Sequence, residues 1–140
     1  MDMLQRGRQA LESQPFSKLV GATLTRFDTE GTELRVPIVD ALKQQHGFVH
    51  GGVLSYVADN ALTFAGGAAL GTGVVTSEYK INYVRPAIGQ EIVARAAAVH
   101  GGKSQAVCRC EVFVVSEGKE TLCAIAQGTI ARLPAAPSVE

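Results

Sequence analysis

The spacing of apolar residues changes several times along the chain. Residues 2 to 13 set Leu4, Ala10 and Leu11 among Gln, Arg and Glu, a weak helical stripe that closes before Pro15. Over 18–27 and 32–38, Leu19, Val20, Leu24, Leu34, Val36 and Ile38 recur near period two on either side of Asp28-Thr29-Glu30-Gly31, which predicts a hairpin. A loop over 40–50 leads into Gly51-Gly52, and from Val53 to Ala65 apolar residues then cover nearly every side of a helix. A helix apolar all round belongs in an interior, and Gly66-Gly67 supplies its stop. Beyond Gly73 the alternation returns over 74–84, 91–99, 105–115 and 121–131, with Gly or Pro in each break. Four strands joined so tightly predict an antiparallel meander. The order of helix, two strands, long buried helix and four strands predicts an α+β layer, a six-stranded antiparallel sheet curling around one central helix. Residues 1–140 read as a single domain, with 1–17 as a helical brace and 134–140 as a frayed tail. Such a sheet has edges, and an edge strand is a template for a second copy, so a homo-oligomer is expected.

Composition narrows the classes. Of 140 residues, 46% are hydrophobic and 19% charged, which argues for one substantial core and against disorder. Thirteen basic residues balance thirteen acidic ones, so no overall field draws nucleic acid or an anionic membrane, and neither is expected as a partner. Any anionic ligand must be held by a local cluster. No apolar run reaches membrane-spanning length and the start lacks the apolar core of an export signal. The three cysteines are an odd number, and Cys108 and Cys110 point the same way along one strand, so reduced thiols in a cytoplasmic protein are expected.

Asp59 is the most informative residue, because an ionised carboxylate within an apolar helix is costly to bury unpartnered. A lone helical Asp also simply faces solvent, and the neighbouring residues weigh against that. His50-Gly51-Gly52 stands at the helix start, where unpaired N–H groups and the macrodipole favour negative charge. An N–H of Gly51 or Gly52 there is placed to hold a carbonyl oxygen as it becomes an oxyanion, although a glycine pair also serves merely to turn the chain. Gly51 and Asp59 are eight residues apart, about 12 Å along one helix, too far to act on one carbonyl. Two antiparallel copies of the helix would bring Gly51 of one against Asp59 of the other, making two identical sites per dimer. Thr63, one turn beyond Asp59, shares its face and either serves the site or bonds its own i−4 carbonyl. His46, His50 and Asp59 lack metal-ligand spacing, so no metal is expected, and neither a serine elbow nor a nucleotide-phosphate loop is present. Arg85 and Lys103, each at a strand end beside Pro or Gly, are candidates for the local cluster that an anionic ligand would need, although solvated surface charge is the commoner fate of such residues.

Gln44-Gln45-His46-Gly47-Phe48-Val49-His50-Gly51-Gly52-Val53 followed by Asp59-Asn60 resembles the signature of the hot-dog-fold acyl-CoA thioesterases, specifically the phenylacetate-pathway, PaaI-like group. The resemblance runs from about residue 18 to 133 and takes in Tyr79-Lys80-Ile81-Asn82-Tyr83-Val84-Arg85-Pro86-Ala87. It implies a long central helix wrapped by an antiparallel sheet, and a homodimer joined edge to edge, paired again as a homotetramer. It further implies Gly51 as oxyanion donor, Asp59 as nucleophile or general base, and Gln44 as a polar group near the thioester or the water. His50, Gly52 and Asn60, within the same signature, are its substrate-binding candidates. Many relatives carry Asn at Gln44. An aromatic-acyl relative matches Gln44, Gly51 and Thr63 but has Glu at Asp59, and Thr76 stands where some relatives carry a Ser that orients water. No cofactor is implied, because coenzyme A is part of the substrate. The competing readings are a hot-dog hydratase or dehydratase, for which His46 and His50 speak, and a non-catalytic acyl-CoA sensor, against which Asp59 speaks.

Overall fold

The computed structural model describes residues 1–71 and 73–134. Helix α1 (Met3–Glu12) opens with a capping box in which Asp2 and Gln5 exchange side-chain and backbone bonds. It lies on the first strand, close enough that a side chain at Gly7 would collide with Leu24 and Phe27. A second helix, α2 (Pro15–Val20), starts with Pro at its first position and ends at Gly21, whose φ of 85° is the left-handed cap glycine favours. Residues 18–20, expected as the start of a strand, are therefore helical, and β1 runs only over Thr23–Asp28.

The remaining strands are β2 (Gly31–Pro37), β3 (Val74–Tyr83), β4 (Glu91–Gly101), β5 (Gln105–Ser116) and β6 (Lys119–Arg132). Among the described residues they form one antiparallel sheet in the order β1-β2-β4-β5-β6-β3. The expected four-strand meander holds for β4-β5-β6 alone. β3 lies at the far edge beside β6, and its connection to β4 passes the start of the long helix, where Val49 N–H bonds Ala87 O, before reaching β2, where Ile38 N–H bonds Gln90 O.

The long helix α3 spans Gly51–Leu70, a full turn beyond the predicted stop. Gly66-Gly67 is inside it. The reason is tertiary: a Cβ on Gly66 would stand 2.4 Å from Ile130 Cβ, so glycine lets the helix sink onto β6. On the inner face of the sheet the register Leu34–Ala94–Val112–Ala124 forms one row against Leu54, Val57, Ala58, Ala61, Leu62 and Ala65 of α3. This is the core. No helix among the described residues is long and apolar enough to cross a membrane. The tail expected to fray lies, apart from Pro134, outside the described residues.

Candidate active site

The loop before α3 is pinned at several points. Gln44 N–H bonds Phe48 O around Gly47, whose φ is 89°, and Gln44 Oε1 accepts the His46 N–H, leaving the Gln44 amide nitrogen without an acceptor among the described residues. His50 N–H bonds Leu42 O, and His50 then caps the helix: its Nδ1 accepts the Gly52 N–H at 2.8 Å. A ring nitrogen that accepts carries no proton, so the neutral His50 ring holds its proton on Nε2. His50 O accepts the N–H groups of Val53 and Leu54. Of the four leading N–H groups of α3, the one left without an acceptor among the described residues is that of Gly51.

The two glycines are glycines for different reasons. A Cβ on Gly52 would lie 2.9 Å from His50 Nδ1 and disturb the cap. A Cβ on Gly51 would meet nothing nearer than the Tyr83 ring at 3.6 Å, an ordinary contact, and the φ there is not left-handed. The fold of this chain does not demand glycine at 51. The bare backbone leaves a space open to a visitor.

Two turns further on, half-buried Asp59 faces the edge strand β3. Thr76 donates to Asp59 Oδ1 at 2.5 Å, Thr63 donates to Asp59 O at 2.8 Å, and the two hydroxyls stand 2.9 Å apart. Thr63 thus bonds its i−4 carbonyl and joins the cluster at once. No donor reaches Asp59 Oδ2 and no cation pairs with Asp59 among the described residues. The helix runs unbroken between Gly51 and Asp59, so their separation of about 12 Å stands.

A cleft of about 350 Å³ opens at the helix start, lined by Gln44, Phe48, Gly51, Leu54, Tyr83 and Arg85 among others. The structure therefore gathers Gln44, Gly51 and Arg85 at one place and Asp59, Thr63 and Thr76 at another. It separates Lys103: its turn lies by Ala69, at the opposite end of α3 from Arg85, so the two cations do not converge within one chain. Asn60 is turned to the other flank of α3, where its amide nitrogen donates to Gln14 Oε1, Ser17 Oγ and Tyr56 OH. That network bolts α2 to α3 and takes Asn60 away from the cleft. A larger depression of about 400 Å³ on the outer face of the sheet holds none of these residues, and its Arg26 and Arg95 are paired with Asp28, Glu33 and Glu120.

Two tyrosines on β3 escaped the sequence reading. The inner face of β3 places Tyr83 OH on Gly51 O at 3.1 Å and Tyr79 OH on Ser55 Oγ, as Thr76 is placed on Asp59. Gly51, Ser55 and Asp59 fall at four-residue intervals, so one stripe of the helix takes all three hydroxyls. The alternation of Tyr79, Ile81 and Tyr83 was the available signal.

Residues 46–121, more than half the chain, match the family model of the Thioesterase superfamily. A thioesterase family protein from Silicibacter pomeroyi superposes with a TM-score of 0.86 at 31% identity, over 93% of this chain and 97% of that one. A variant of the phenylacetic acid degradation protein PaaI from Thermus thermophilus is also 31% identical, with a TM-score of 0.74, over 86% of this chain and 100% of the other. The PaaI protein of the E. coli phenylacetic acid degradation operon, 23% identical, shares the fold with a TM-score of 0.81 over 93% and 92%. With the long helix, the curved sheet and the loop-helix motif all in place, this chain belongs to the thioesterase superfamily and is a thioester hydrolase of the hot-dog fold.

Proposed function

We propose that the chain hydrolyses an acyl-CoA thioester to the free acid and CoA, at two sites shared between antiparallel copies of α3 in a homodimer. The observation that carries this reading is the division of labour along one helix: a free N–H at Gly51 and a free carboxylate oxygen at Asp59, about 12 Å apart. The thioester carbonyl oxygen accepts from Gly51 N–H and from the Gln44 amide, donors that gain most as negative charge develops there. Asp59 of the second copy, its Oδ1 held by Thr76 and its Oδ2 free, acts on the carbonyl carbon directly or by taking a proton from water. In the water route a C–O bond forms, the C–S bond breaks and the proton passes to the departing CoA sulfur. In direct attack an Asp59 oxygen bonds the acyl carbon as the C–S bond breaks and CoA leaves as thiolate, and water then opens the resulting anhydride to the free acid and the Asp59 carboxylate, one of its protons passing to the thiolate.

The same pairing addresses the CoA phosphates. With Gly51 opposite Asp59 of the second copy, residue 69 of that copy falls about 15 Å beyond Gly51 along the axis, so the Lys103 turn arrives at the Arg85 end. Phe48 and Tyr83 on the cleft, and relatives named for phenylacetic acid degradation, put aryl thioesters first in a substrate panel. A CoA substrate and three buried free cysteines both suit the cytoplasm.

The test is subunit exchange. Inactive Asp59→Asn protein is mixed with an inactive Gly51→Val protein and release of CoA is followed. In a mixed dimer one site takes both lesions and the other neither, so activity returns, approaching one working site per mixed dimer. Mixtures that exchange by mass and stay dead would place each site within one chain.

A further inference from the structure

Tyr83 differs from its neighbours in the β3 hydroxyl row. Tyr79 is half-buried and Thr76 is committed to Asp59, whereas Tyr83 is 53% exposed although its ring lies 3.6 Å from where a Gly51 side chain would be. The ring therefore lies beside Gly51, the residue whose N–H is unpaired among the described residues, and both line the cleft. Within one chain the ring is half exposed beside that residue and has apolar area still to bury, and a group seated at the Gly51 donor would cover it. The hydroxyl does something else: it donates to Gly51 O and ties the first turn of α3 to the edge strand.

We propose that Tyr83 serves the reaction twice, in separable ways. Its ring contacts the thioester-bearing segment of the substrate, and its hydroxyl is a positioning group that holds Gly51 in place. This rests on the acyl-thioester reading of the site. The ring contributes to ground state and transition state alike, so its loss raises KM; the hydroxyl acts through the placement of an oxyanion donor, so its loss lowers kcat.

The experiment compares Tyr83→Phe with Tyr83→Ala on a CoA thioester and on its pantetheine analogue. Tyr83→Phe is expected to lower kcat about three- to tenfold with KM nearly unchanged, the scale of one modest hydrogen bond. Tyr83→Ala is expected to raise KM about tenfold besides, and equally on both substrates, because the contact lies at the thioester and not at the nucleotide. Wild-type kcat in Tyr83→Phe overturns the positioning role, and wild-type KM in Tyr83→Ala overturns the wall. Nitration of Tyr83 in the wild-type protein, mapped by mass, needs no variant: a non-hydrolysable acyl-CoA thioether should protect it, and a Tyr83 that is unreactive, or equally reactive with and without the thioether, overturns the ring contact. Absence of wild-type turnover would instead strike the thioesterase site itself, which keeps the two failures apart.

Discussion

Asp59 and Asn60 are neighbours on α3 and their side chains meet opposite fates. Asn60 commits its amide nitrogen to Gln14, Ser17 and Tyr56, all within the chain. Asp59 has one oxygen taken by Thr76 and the other without a donor among the described residues. Both stand on the same apolar helix with a hydroxyl residue one turn away. A polar residue in such a helix is therefore no mark of a site by itself; the mark is bonding capacity that the fold leaves unused. Gly51 and Gly52 repeat the contrast, since His50 claims the second N–H and leaves the first.

The largest effect should come from Asp59→Asn, which removes the charge at nearly constant volume. We expect kcat to fall about 10²–10⁴-fold with the melting temperature little changed. A folded variant with near-normal turnover would erase the distinction from Asn60. Gly51→Ala should follow, lowering kcat about 10²–10³-fold with KM nearly constant, because the chain itself has room for that Cβ and what is lost is the close approach of the developing oxyanion to the Gly51 N–H. An effect confined to KM would remove Gly51 from the oxyanion role. Asn60→Ala should behave oppositely, costing about 1–3 kcal/mol in denaturant unfolding while kcat stays within about threefold. If it were as dead as Asp59→Asn and still fully folded, the amide network would be part of the chemistry.

The smallest effect tests a carboxylate with both oxygens claimed. On the outer face of the sheet, burial acts to raise the Glu33 carboxyl, but bonds from Thr25, Arg95 and Arg35 outweigh it and hold it down at about 2. A carboxyl depressed on folding contributes stability that is complete above its ordinary value of 4.5 and is lost as pH falls toward 2. The melting temperature should therefore drop more steeply through that window in the wild type than in Glu33→Gln, with neutral-pH turnover equal in both. Parallel melting curves would show that the Glu33 bonds contribute nothing net.

What was legible in the chain was whatever rests on local period. The α3 core face, β4, β5 and β6 follow from alternation and helical stripes, and Gly51 and Asp59 stood out because each breaks its surroundings. The rest depends on distant partners. α2 has six residues, too few for a helical stripe to appear, and Leu19 and Val20 mimic a strand start. Gly66-Gly67 reads as a stop until Ile130 lies beneath it. The place of β3 beside β6 is a non-local pairing that adjacency along the chain does not reveal. Asn60 was grouped with the site because it stands beside Asp59 in the signature, and its bonds to Gln14 and Ser17 span more than forty residues of chain, which no local pattern reveals.

Gly66 also sets a geometry far from itself. A side chain there would need Ile130 to retreat by about 1 Å to reach ordinary contact, and the core leaves Ile130 no room to do so. The helix would lift instead, pivoting on its start, where His50 and Tyr83 hold it. Gly66 lies about 22 Å from that pivot and Asp59 about 12 Å, so Asp59 would swing roughly half as far, about 0.5 Å. On the proposed reading Asp59 is a reacting group, and about 0.5 Å is the tolerance within which such a group must be held. One missing methyl group against the sheet thus works as a lever arm, and the aim of the carboxylate is set seven residues further along the helix.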